Sequence, residues 1–148
     1  MRQRPEGASD ELVEAVGKAS EALEYMVRAR GHLYSFHQLM GHIDLLFSDV
    51  ADAFDAAGIP DVAARLREEV VGRNALDGRW SFQIVEEYDD LYYRPVEAEV
   101  GRLEADHMSG HRHVYESEMK DARATRGRAG HELRPPTSHD PRVETSED

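Results

Sequence analysis

Glu104 and His107 stand three residues apart in "EADHMSGH", and His37 and Asp44 stand seven apart in "LYSFHQLMGHID". On a helix those spacings put imidazole and carboxylate donors on one face. The chain has no cysteine, which excludes disulfides, thiolate nucleophiles, zinc–thiolate sites and iron–sulfur clusters. A bound metal would therefore have to be held by His, Asp and Glu, the donors that suit iron, manganese or zinc. His37, Asp44, Glu104 and His107 are the residues that could hold a divalent ion, with Glu87, His111 and Tyr34 as additional candidates. Such an ion would activate bound water or carry redox chemistry. The competing expectation for a histidine at the edge of a core is one hydrogen bond to a carbonyl or carboxylate.

The Glu104-x-x-His107 spacing resembles that of the ferritin-like di-metal family, in which the same interval sets two ligands on one helix face. That family needs two such motifs plus two further inward glutamates. This chain shows one motif and no second, so the resemblance is partial and no family is recognised from it. His111 would join the pair only if the helix continues through Gly110. Phosphate loops of the G-x-x-x-x-G-K-[ST] type, G-x-G-x-x-G and H-E-x-x-H are absent, as is G-x-S-x-G.

At ~100° per helical residue, the elements that carry these side chains can be read by angle. Leu33, Phe36, Met40, Ile43, Phe47, Val50 and Phe54 form one apolar set. His37 and Asp44 fall on its boundary, and His42 points away from it. The permissive Gly41 lies on the same flank as Tyr34. Around "VEEYDDLYY", Ile84, Val85, Tyr88, Leu91 and Tyr92, joined by Trp80, read as the apolar face; Glu87 lies at one border and Asp89 at the other, and Glu87 is the expected inward carboxylate. His107 falls in the middle of the stripe set by Val96, Val100 and Leu103. Trp80, Phe82 and Tyr93 spread beyond one face of their helix, which makes them candidates for an interface.

Nearly all of the chain from Ser9 to about Lys120 reads as helix. Ser9 or Asp10 can cap the first helix, and Leu12, Val16, Ala19, Leu23 and Met26 mark its apolar face. A single helix from Ser9 to Ala57 would be ~70 Å long, so a break or kink is expected near Arg30–His32. Gly58 should stop the next helix, with Pro60 behind it. A short helix is expected over about Asp61 to Val71 and another over Arg79 to Tyr93, with a kink or restart at Pro95. Segments from Val96 to Met108 and from His113 to Arg123 follow. The expectation is an all-α antiparallel bundle of about four main helices with short extra helices. Residues 1–8 read as a flexible N-terminus, 9–124 as one helical domain and 125–148 as a disordered polar tail.

The chain of 148 residues is long enough to bury a core without staples. Its formal charge of −12 repels nucleic-acid phosphates and anionic lipid. No apolar stretch nears the ~18 residues of a membrane helix, and the start has no apolar signal region. A cytoplasmic protein is expected, without nucleic acid or membrane as partner. Two functions follow: an interaction or structural protein that forms a homo-oligomer or docks a partner, which is favoured, and a metal-binding bundle with enzymatic potential.

Overall fold

The computed structural model describes residues 4–134. The fold is all-α. Its elements are α1 (Asp10–Ala56), α2 (Pro60–Glu69), α3 (Ser81–Tyr88), a π-helical turn (Asp89–Tyr93), α4 (Arg94–Met108) and α5 (Val114–Arg123). Among the described residues the only extended pairing is an isolated bridge between Leu76 and Arg79. Among the described residues no helix is long and apolar enough to cross a membrane.

The Ser9 hydroxyl accepts from the Leu12 amide at 3.2 Å, which satisfies one of the free amides at the start of α1. The helix then runs for 47 residues without interruption. The break expected near Arg30–His32 does not occur. Gly31 keeps helical geometry with open space around its Cα, because a lone glycine lowers helix propensity by only ~1 kcal/mol relative to alanine. Gly58 ends the helix as expected, with φ +76. The amide of Ile59 reaches back to the Phe54 carbonyl at 2.9 Å, the wide bond of a glycine-terminated helix.

Pro95, where a kink or restart is expected, follows a distorted turn but does not restart the helix. It has no amide to offer, and its ring crowds the carbonyl four residues earlier. The turn before it widens, so that the Arg94 amide bonds to the Asp89 carbonyl five residues back. The helix thus passes from α3 through the π turn into α4.

The chain divides into two compact units. The terminal unit holds the described residues within Met1–Tyr25 and Val96–Asp148, and the central unit is Met26–Pro95. In the terminal unit Val13, Val16, Met108 and Val114 form a buried cluster. The Ser20 hydroxyl donates to Glu104 at 3.2 Å, and a Cβ on Gly17 would lie 3.3 Å from that of Tyr115. Descending α1 from 20 to 13 thus matches ascending from 104 to 114, which is antiparallel packing. Arg4 adds a two-pronged pair with Glu118, both contacts 2.8 Å. Residues 124–134 form turns rather than helix, and Lys120 Nζ donates to the Leu133 carbonyl at 2.9 Å. The remainder of the expected tail, 135–148, and residues 1–3 of the expected flexible start lie outside the described residues.

Candidate interaction surface

In the central unit three polar residues of α1, each seven apart, fasten the chain that returns alongside it. Arg30 grips Asp89 through Nε–Oδ1 at 2.7 Å and Nη2–Oδ2 at 2.8 Å. His37 Nδ1 lies 2.8 Å from the Ser81 hydroxyl, which is also 3.3 Å from the His37 carbonyl. The hydroxyl has one proton. Both contacts are satisfied when it donates to the carbonyl and accepts from Nδ1–H. Asp44 Oδ1 accepts from the Gly72 amide at 2.7 Å. Partners 89, 81 and 72 meet 30, 37 and 44 in reverse order, so the returning segment runs antiparallel to α1.

A heptad step keeps these residues on one line of the helix. Met26, Leu33, Met40, Phe47, Ala51 and Phe54 lie on the same line and are all buried or half-buried. His37 and Asp44 are therefore set within the packed seam, not at its boundary as the angular reading expected. The imidazole and carboxylate there are held by a hydroxyl and a backbone amide.

The apolar set read from the sequence merges two stripes. Leu33, Met40, Phe47 and Phe54 face the unit's own interior. Phe36, Leu39, Ile43, Leu46 and Val50 are 41%, 62%, 43%, 47% and 37% exposed. Their spacings of 3, 4, 3 and 4 form a second seam, about 90° around the helix from the first at ~100° per residue. Large apolar side chains in one contiguous exposed row are unusual on a monomer and mark a contact surface. A half-open groove of about 430 Å³ adjoins the row, lined by Met40, Phe47, Val70, Arg73 and Trp80. Ile43 belongs to both the row and the groove. Of the expected interface aromatics, Trp80 and Phe82 are 46% and 47% exposed. Tyr93 is half-buried, its ring 5.0 Å from the Arg30 guanidinium. Tyr34 lies under the same guanidinium at 4.9 Å and edge-on to His37 at 6.4 Å.

The inward carboxylate of "VEEYDDLYY" is Asp89 rather than Glu87. Asp89 is buried, whereas Glu87 is exposed and pairs with Arg79. Leu91 and Tyr92, expected on the apolar face, are exposed. The π turn starts at Asp89, so an angular count at the α-helical pitch fails from that residue on. The Arg30 guanidinium beside Asp89 holds its carboxyl below the usual carboxylate range by hydrogen bonding, against the opposing effect of burial. A lowered folded-state value means that the stabilisation is complete above the unfolded value of ~3.9. It is lost as pH falls through the folded value below that. Asp89→Asn is expected to lower the thermal midpoint at pH 7 by ~5 °C and to remove this acid-side dependence. Urea midpoints of both proteins between pH 7 and pH 2 check it, and parallel curves would show that the pair contributes nothing.

In the terminal unit His107 is exposed, contrary to its expected place in the middle of the α4 stripe, while the neighbouring Met108 is 1% exposed. Met108 fills the space among Val13, Val16 and Val114, where an apolar side chain gains more from leaving water than an imidazole does. Glu104 is half-buried and takes its proton donor from Ser20. His37 and Asp44 thus belong to the central unit, and Glu104 and His107 to the terminal one. Among the described residues, the group whose donor atoms all lie within 4.8 Å of one another is Glu24, His113 and Glu116. His113 Nδ1 is 3.6 Å from Glu116 Oε1, and Glu116 Oε2 is buried without a hydrogen-bond partner. Glu104 and His111 line the small cavity beside His113 and Glu116. The sequence reading did not select Glu24, His113 or Glu116. Their only linear signal is the interval of three between His113 and Glu116. Comparison with models of protein families, with curated proteins and with solved structures found no match.

Proposed function

We propose that this protein acts by association, presenting the outer face of α1 to another helix. The observation that carries the reading is the row Phe36, Leu39, Ile43, Leu46 and Val50, exposed at strict heptad spacing on a helix whose other seam is already packed. Such a row is the half of a helix–helix contact that knobs-into-holes packing completes. The polar latches at Arg30, His37 and Asp44 hold α1 to its own unit, and this leaves the outer row free to face outward. A photo-crosslinking side chain placed at Leu39 in cells should give a covalent adduct, while the same group at Glu68, on the exposed side of α2, should not. Absence of an adduct at Leu39 and at Leu46 would overturn the reading.

A second reading, that the terminal unit holds a divalent cation, is favoured by the unpartnered Glu116 oxygen beside His113 and Glu24. A cation there would satisfy a buried carboxylate oxygen that otherwise has no donor. Protein equilibrated separately with Mn²⁺, Zn²⁺ and Fe²⁺ and then desalted is expected to retain near-stoichiometric metal. His113→Ala should lose it and His107→Ala keep it. Metal-free protein after all three treatments sinks this reading.

A further inference from the structure

We infer that the occupant of the outer α1 row is a second copy of this chain, lying antiparallel to the first about a two-fold axis between Ile43 and Leu46. The inference rests on the proposal that the row is an interface, and it names the partner and the direction. Three observations carry it.

The first is register. With the axis between Ile43 and Leu46, those two residues face each other's copies and Leu39 faces Val50. Phe36 faces Ala53, which is exposed and small. Every large side chain of the row then meets an apolar one, and the largest meets the smallest. An isologous contact requires this kind of self-complementarity.

The second is charge. On the flank beside the row, His42 lies before the axis and Asp49 after it, both exposed. Antiparallel copies set Asp49 of one helix opposite Met40 of the other, within two residues of the other's His42. Like charges set side by side oppose association, and opposite ones fix direction.

The third is extent. From Phe36 to Ala53 the row is ~26 Å long at 1.5 Å per residue. Five large apolar side chains, each near half exposed, present on the order of 500 Å² per copy. That total of ~1,000 Å² for two copies is the size at which specific interfaces begin.

The cysteine-free chain allows single spin labels to test this in the full-length protein. Leu45→Cys lies beside the axis and is 65% exposed. Gly31→Cys has open space at its Cβ. The expected inter-copy distances are shorter at residue 45, ~20–30 Å because its side chain leaves α1 on the side away from the row, and longer at residue 31, ~40 Å or more. Short distances at both positions would overturn the antiparallel direction and leave the row an interface between copies. No inter-copy distance at either position, together with a Leu39 adduct in cells, would overturn the second copy as occupant while the interface reading stands. If the Leu39 adduct is also missing, both fall.

Discussion

Leu46→Glu is expected to weaken self-association by ~100-fold or more, with helix content unchanged. Removing a Leu side chain from a fully buried contact forfeits ~1.5–3 kcal/mol. Leu46 is already about half covered by its own unit, so the association term is nearer half of that. The two-fold relation counts it twice, once in each copy. Two carboxylates then face apolar side chains without partners, at a further cost of a few kcal/mol unless they take up protons. Each ~1.4 kcal/mol is a factor of ten in the dissociation constant, so ~100-fold is a conservative figure. The same change at Leu91, which is 77% exposed and lies off the α1 row, should leave association as it is. Dilution calorimetry on the two variants separates the cases, and circular dichroism checks that both stay helical. Equal effects at Leu46 and Leu91 would mean that the row has no special part.

Met108→Ala is expected to cost ~2–5 kcal/mol, the usual range for emptying a well-packed methionine site. Among the described residues Met108 is the largest side chain that is fully buried, and it packs with Val13, Val16 and Val114. The last turn of α4, the start of α5 and the first turns of α1 meet on it, so few atoms can relax into the space. The control is Leu91→Ala, where exposure predicts a change within ~0.5 kcal/mol. Urea unfolding followed by circular dichroism tests both. A Met108→Ala loss below ~1 kcal/mol would mean that this cluster is not what holds the terminal unit.

Element types were legible in the sequence because they depend on local signals. Ser9, Gly58 and Pro60 punctuate α1 and α2 through caps and backbone geometry, and these rules act over a few residues. The errors fall where a side chain's partner is distant in sequence. The break expected near Arg30–His32 rests on the length of an unbroken helix and the change of register at Gly31, yet a lone glycine in open space weakens a helix by only ~1 kcal/mol. Glu87 and Asp89 fall on opposite borders of their apolar face, and what decides between them is Arg30, which lies far away in sequence and grips Asp89. His107 was given a core place that Met108 holds.

The candidate surface was also present in the sequence, though in merged form. The angular mean of the apolar set in α1 fell between its two seams. A single average cannot tell one broad stripe from two narrow ones about 90° apart at ~100° per residue. Leu39 and Leu46 were left out of that set, and they complete the outer row. His37 and Asp44 drew attention as candidate ligands because their types can bind metal. Their seven-residue interval is shared with Arg30 and instead tracks the line on which α1 is latched to Asp89, Ser81 and Gly72.

The most direct test of the central claim is sedimentation equilibrium on the wild-type protein across micromolar concentrations. The expected result is a species of twice the 16.7 kDa chain mass that dissociates on dilution and falls to the single-chain mass in Leu46→Glu. A wild-type protein that stays at 16.7 kDa throughout, with Leu46→Glu indistinguishable from it, would contradict the account.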